Sequence, residues 1–295
     1  MIDIHPTSVV DRQAVIGQDV RIGPNCYVGP KVTLGDRCVL HNNVTITGNT
    51  QVGADNEFFP GCVIGCIPQD LKYRGGDTQV IIGANNVFRE LVTVHSGTEI
   101  AGGVTRIGDH NHILVGCHIA HDCEIGSHCI LSNQVQLAGH VKIEDRVTTG
   151  GLIGVHHFVT IGTLAYVAGF TRISVDVPPF MIGAGYPQVQ VRGVNTVGMT
   201  RWQFGEERIR AIREVYRQLF SKRAIAEGGN LTDKVAAIES NGQLTEDVRY
   251  LCEFVKRSMK DGVYGRYRES LRQDTAEDRG KFYEHGLAGS EEDPS

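Results

Sequence analysis

Residues 10–52 read VDRQAVIGQDVRIGPNCYVGPKVTLGDRCVLHNNVTITGNTQV, and an aliphatic side chain returns at every sixth position: Val10, Ile16, Ile22, Val28, Leu34, Leu40, Ile46 and Val52. Phe58 and Ile64 continue the beat, which resumes at Ile82, Phe88 and Val94. It then runs from Ile107 to Ile173, with Thr149 off-pattern. A six-residue period sustained this long marks a solenoid. Three hexads make an 18-residue coil of short strands. The spacing therefore predicts a mainly β chain folded as a triangular parallel β-helix, with the aliphatic of each hexad filling the prism.

The fourth residue after each aliphatic forms a second inward column of small or medium side chains, including Cys26, Cys38, Cys62, Cys117, Cys123 and Cys129. Six of the eight cysteines are thereby expected to be buried, where a thiol acts as a small hydrophobe. Their spacing matches no zinc ribbon. This usage suits a reducing compartment and a cytoplasmic protein. Many glycines follow the hexad aliphatic (Gly17, Gly23, Gly35, Gly53), as expected of tight corners. The opening MIDIHPTSVV lacks the basic and apolar regions of a signal peptide, and no apolar run is long enough for a membrane helix. A net charge of −5 does not suggest a nucleic-acid partner.

Two segments leave the rhythm, 66–80 (CIPQDLKYRGGDTQV) and 95–106 (HSGTEIAGGVTR). Solenoid insertions leave as loops from one face, often the binding face. The repeats are expected to occupy 1–190. A small helical C-terminal domain follows over 191–262, its first helix set by Ile209, Ile212, Val215 and Leu219 at helical spacing. The charged segment 263–295 reads as a disordered tail. The helices cap an otherwise open coil. The first also carries Arg208, Arg213 and Arg217 within a local surplus of positive charge, suited to an acidic partner. A plain solvated helix face accounts for the same charges.

Nine of the twelve histidines fall between His95 and His157. Ile119, Leu137 and Val155 are 18 residues apart, so their hexads stack at about 4.8 Å per coil. His121, Gly139 and His157 each lie two positions on and form one column, flanked by His118, His140 and His156. A histidine titrates near neutrality and is a natural proton carrier. Three readings compete: surface histidines without a role, a zinc site, and general-base catalysis.

The segments HIAHDCEIGSHCILSNQVQLAGHV (118–141), IPQDLKY (67–73), VHSGT (94–98), VHHF (155–158) and DVPPF (176–180) together resemble the acyl-ACP–UDP-N-acetylglucosamine O-acyltransferases, which open lipid A synthesis. The resemblance spans about residues 1–260. It implies left-handed coils, a homotrimer with sites between neighbouring prisms, acyl carrier protein and UDP-N-acetylglucosamine as substrates, and no cofactor or metal beyond the carrier's own phosphopantetheine.

By the same resemblance, His121 is the general base for the sugar 3-hydroxyl and the Gly139 amide stabilises the oxyanion. Asp122 supports His121, although strand alternation would turn adjacent side chains to opposite faces. Gln69, Asp70, Lys72, His95, His118, His140, His156 and His157 line the substrate cleft. Asn195 and Arg201 match positions that hold the nucleotide. Gly169 matches the acyl-length position, where glycine leaves room for a longer hydroxyacyl chain. The sequence departs from the family at His157, Val197 and Trp202. The expected activity is transfer of a 3-hydroxyacyl group from acyl carrier protein to the sugar 3-hydroxyl. A related transferase using another nucleotide sugar or coenzyme A, or a silent repeat scaffold, is the alternative.

Overall fold

The computed structural model describes residues 2–240, 244–262 and 264–272. Three parallel sheets of very short strands form the faces of a prism, and every third strand in sequence joins the same sheet. Partners lie 18 residues apart on either side of the loops, as in Val39 with Glu57 and Arg106 with Glu124. The spacing widens to 30 across the first loop (Gln51 with Ile81) and to 25 across the second (Ile81 with Arg106). Both insertions are therefore extruded while the ladder keeps its register. The strands Gln79–Ile82 and Val104–Ile107 begin inside the stretches expected to be loop.

The hexad aliphatics from Ile22 to Ile173 fill the interior, with the six column cysteines among them. Val10, Ala14 and Ile16, in the first coil, are only partly covered. All eight cysteines are free thiols. Burial pushes Cys62, Cys123 and Cys129 up to about 12, so these thiols are inert packing groups.

The corners correct the glycine expectation. The left-handed turn residues are mostly not glycine: one corner carries Asp122, His140 and Phe158 at φ of 58°, 64° and 64°. Gly35 and Gly53 instead stand where coils touch. A Cβ on Gly35 would lie 2.5 Å from the Gly53 carbonyl carbon, and one on Gly53 would lie 2.7 Å from the Gly83 oxygen. Stacking distance, not turn conformation, excludes a side chain there.

The last coil passes into an antiparallel pair, Met181–Ala184 with Gln190–Val194. Six α-helices follow among the described residues: α1 (Thr196–Arg201), α2 (Glu206–Leu219), α3 (Lys222–Ala226), α4 (Leu231–Ser240), α5 (Glu246–Lys256) and α6 (Tyr267–Ser270). Ile209, Ile212, Val215 and Leu219 of α2 pack with Val235, Ile238, Val248 and Leu251 against Leu164, Phe180 and Met181 of the prism. This second core covers the prism's C-terminal end. Thr245 caps α5 through its hydroxyl. The helix α2 stops at Leu219, short of the Gly228–Gly229 pair, and Ser221 caps a separate α3. No helix among the described residues is long and apolar enough to cross a membrane.

The expected tail lies outside the described residues from 273 onward. Its first part differs from the expectation of disorder: residues 264–272 fold back onto the last coil. The Gly265 carbonyl accepts from the Asp176 N–H at 2.8 Å, and Arg266 donates to the Ser174 carbonyl at 2.8 Å. Asp176 explains the attachment. This buried carboxylate accepts from the Thr160 amide, the Ser258 hydroxyl and the Tyr267 amide at 2.7–2.9 Å.

Candidate active site

The strands His118–Ile119, Gln136–Leu137 and Gly154–Val155 stack in register on one sheet. The chain turns two residues after each, which brings His121, Gly139 and His157 to one corner. His121 and Asp122 lie in this turn and not in a strand. Asp122 takes the left-handed conformation, so the alternation that would have separated the two side chains does not apply. Its N–H donates to the Thr105 hydroxyl oxygen at 2.9 Å, which fixes the turn.

Asp122 Oδ2 sits 2.8 Å from His121 Nδ1. The same carboxylate accepts from the Thr98 amide at 2.9 Å and the Thr98 hydroxyl at 2.7 Å. Burial pushes the Asp122 carboxyl upward, but the bonds from His121 and Thr98 outweigh it and leave the pKa below the usual aspartate value. An ionised Asp122 only accepts, so His121 Nδ1 carries the proton and Nε2 is left with the lone pair. Thr98 belongs to the VHSGT stretch, but nothing in the sequence marks its hydroxyl as the group that holds the carboxylate.

Nε2 faces the first loop, 3.9 Å from Asp70 Oδ2. That gap is too long for a direct hydrogen bond, and one hydroxyl oxygen can sit within bonding distance of both atoms. Asp70 is held by the Lys72 N–H on its Oδ1 at 2.9 Å. Gly139 lies directly under the His121 ring, and an added Cβ would fall 2.9 Å from Nδ1 and closer still to Cε1 and Nε2. No hydrogen bond from the Gly139 amide is found among the described residues.

These groups line a cleft of about 900 Å³ together with Gln69, Lys72, His118, His140, His156, His157, Phe158 and Arg172. His118 is bonded to the Thr93 hydroxyl at 2.7 Å. Behind it lies His95, buried, with a ring centroid 4.9 Å away and an Nδ1 that has no partner among the described residues. The His140 ring meets His121 edge-on at 5.0 Å and stacks on Phe158 at 4.3 Å. Burial holds both His95 and His140 down to about 4, so neither ring carries charge at neutral pH. His156 and His157 stand exposed on the rim.

Other expected site residues lie elsewhere in this chain. Asn195 caps α1: its Oδ1 accepts from the Gly198 amide and its Nδ2 donates to the Leu164 carbonyl. Arg201 is exposed at the end of α1, and Gly169 is exposed beside Gly151; neither lines the cleft. Arg208 is occupied within the helical unit, with two bonds to Asp247 at 2.7 and 2.8 Å and its guanidinium 3.8 Å from the Phe204 ring centre. Arg217 pairs with Glu214 at 3.1 Å, and Arg213 is exposed on α2.

One trio bears on metal chemistry. His121, Asp122 and His140 offer ligand atoms within 4.8 Å of one another. However, Asp122 Oδ2 already accepts from His121 and from the Thr98 hydroxyl, so a cation would have to displace both bonds. The donor set fits a histidine–aspartate pair better than a cation cage.

Residues 13–48 and 105–139 match the family model for bacterial transferase hexapeptide repeats, and residues 176–264 match that for UDP N-acetylglucosamine O-acyltransferase, domain 2. The chain is 44% identical over 257 residues to an acyl-[acyl-carrier-protein]–UDP-N-acetylglucosamine O-acyltransferase of Anaeromyxobacter, covering 87% of this chain and 98% of that one. A protein of the same name from Syntrophobacter fumaroxidans is 39% identical over 262 residues, 89% of this chain and 99% of that one. Among solved structures, the UDP-N-acetylglucosamine acyltransferase of Francisella novicida superposes with a TM-score of 0.81 at 35% identity, over 86% of this chain and 91% of that one. The Arabidopsis UDP-N-acetylglucosamine acyltransferase gives 0.76 at 32% identity, over 88% and 97%. The prism is thus a left-handed parallel β-helix, and the chain belongs to the acyl-[acyl-carrier-protein]–UDP-N-acetylglucosamine O-acyltransferase family.

Proposed function

We propose that the chain transfers a 3-hydroxyacyl group from acyl carrier protein to the 3-hydroxyl of UDP-N-acetylglucosamine, with His121 as general base. The observation that carries this reading is the fixed tautomer: Asp122 holds the Nδ1 proton, and the basic Nε2 faces the cleft and Asp70. The sugar hydroxyl gives its proton to Nε2 while its oxygen attacks the thioester carbonyl. Charge gathers on the carbonyl oxygen, for which the Gly139 amide supplies a donor. Collapse breaks the C–S bond, and the imidazolium returns the proton to the leaving thiolate. Asp122 stabilises the imidazolium in between.

Asp70 and Lys72 orient the sugar from above, with Gln69, His118 and His140 around it. His95 and His140, held neutral by burial, place no positive charge beside His121 when it takes the proton. The chemistry needs no metal, and the only prosthetic arm is the donor's own phosphopantetheine. A chelator is expected to leave the rate unchanged.

The site is completed in a homotrimer, because Asn195, Arg201 and Gly169 of one chain do not reach its own cleft. Leu152 and Phe170 occupy successive turns of another corner and are 54 and 76% exposed, an apolar step suited to a neighbouring prism, and Leu91, 63% exposed, stands on the same corner beyond the Gly116 and Gln134 turns. Eight free thiols suit the reducing cytoplasm. The acidic carrier approaches the exposed basic face of α2, around Arg213. The test is acyl transfer by the purified protein, with and without His121→Ala. A loss of about 10² to 10⁴ in kcat is expected, and a near wild-type rate would remove the base assignment.

A further inference from the structure

The folded-back segment 264–272 reaches the cleft itself. The family match stops at residue 264, so residues 265–272 lie beyond the matched domain. Arg268 spans the Glu124 carboxylate at 2.9 Å and the His140 carbonyl at 3.1 Å, which ties the segment to the coil next to His121. Glu269 accepts two bonds from Arg266, at 3.1 and 3.0 Å, and a third from Arg272 at 3.3 Å. The Arg266 and Glu269 side chains are only 9 and 11% exposed. The Arg272 guanidinium lies 5.1 Å from the centre of the Phe158 ring, and Glu269 and Arg272 line the same cleft as His121.

A carboxylate fixed by one buried arginine and bonded to a second pre-orients that second guanidinium. Little rotamer freedom is then left to lose on binding. Phe158 stands two coils below Asp122 on the same corner, roughly 10 Å along the axis at about 4.8 Å per coil. The cleft is asymmetric along that axis. Two carboxylates are engaged near His121, Asp122 with Thr98 and Asp70 with the Lys72 amide, while Glu269, at the far end, is taken up by Arg266 and Arg272. Arg172 and Arg272 stand at the other end. Both substrates carry phosphate at a distance from the reacting atoms.

We propose that Arg272 is a substrate-binding residue that takes a phosphate group, either the diphosphate of the nucleotide sugar or the phosphodiester of the carrier's phosphopantetheine arm. The proposal rests on the acyl-transfer reading above. Arg272 holds the anion through charge-assisted bonds while Glu269 and Phe158 keep the guanidinium in place. Because the residue lies away from the reacting atoms, it contributes to binding and not to the chemical step.

The test uses the full chain with Arg272→Gln and Arg272→Lys. Equilibrium binding of UDP-N-acetylglucosamine and of UDP alone is measured by calorimetry, without turnover, and KM for the acyl carrier protein by steady-state assay. Arg272→Gln should weaken one of these by about ten- to a hundredfold, with kcat within about threefold and Tm unchanged. Weaker UDP binding identifies the nucleotide diphosphate; a raised donor KM identifies the pantetheine arm. Arg272→Lys should recover part of the loss, since it restores the charge without the fork. Both constants staying within about twofold, or a fall in kcat alone, overturns the proposal. So does a Tm drop with equal loss for both variants, which would make the segment a brace only. Should the wild-type chain bind UDP-N-acetylglucosamine and yet transfer no acyl group, the function reading fails while the calorimetric arm still decides on Arg272.

Discussion

Adding one methyl group at Gly139 should nearly silence the enzyme without unfolding it. A Cβ built there lies 2.9 Å from His121 Nδ1 and closer to Cε1 and Nε2, whereas ordinary van der Waals contact begins at 3.4 Å. The ring must retreat by at least half an ångström at Nδ1 and by roughly 1 Å at its far edge. It cannot retreat freely, because Nδ1 is bonded to Asp122, which is itself held by two bonds from Thr98. The methyl group therefore either breaks the histidine–aspartate bond or moves Nε2 out of line with the sugar hydroxyl. A displacement of about 1 Å at a reacting group costs on the order of 10²-fold in rate. The assay is steady-state acyl transfer with both substrates varied, beside a thermal melt. For Gly139→Ala, kcat should fall about 100-fold, with KM for UDP-N-acetylglucosamine within about threefold and Tm within a few degrees. A kcat within about threefold of wild type would refute the account of a wedged imidazole.

Three further predictions follow from the same geometry. Asp122→Asn keeps the shape but loses the charge that stabilises the imidazolium, so kcat should fall about 10² to 10⁴-fold with little change in KM; an unchanged kcat contradicts the pairing. Burial holds His95 and His140 down to about 4, against an ordinary value of 6.5, so the unfolded chain binds more protons between those values. Stability is then complete above pH 6.5 and falls as the pH drops towards 4; His140→Gln should flatten that slope in a Tm–pH series, and an identical slope would show that this ring is not held neutral. Arg208→Ala removes the bidentate pair with Asp247 and should lower Tm by a few degrees with donor KM unchanged, whereas Arg213→Glu should raise donor KM about severalfold with Tm unchanged; the opposite pattern would exchange their roles.

Almost the whole prism is legible in the sequence, because a six-residue period leaves each aliphatic only one place to go. The histidine column follows from the same arithmetic, since stacked coils place His121 over Gly139. What the period cannot encode is the turn. The left-handed Asp122 brings two adjacent side chains together, and only the folded corner shows that strand alternation fails there. Thr98, which fixes the carboxylate, reaches it from a loop whose path the repeat does not set. Asn195 shows the converse: a residue matched to substrate binding serves as a helix cap in its own chain. The segment 264–272 has no apolar rhythm, so its charges resemble a solvated tail. Its order comes from Asp176, a buried carboxylate that recruits amide and hydroxyl donors.

The most direct test is a crystal structure of the protein with UDP-N-acetylglucosamine bound, read at a single distance. The account predicts that His121 Nε2 lies about 2.6–3.2 Å from the sugar 3-oxygen, with Nδ1 still on Asp122. A 3-oxygen beyond hydrogen-bond reach of Nε2, with another side chain in its place, would contradict it.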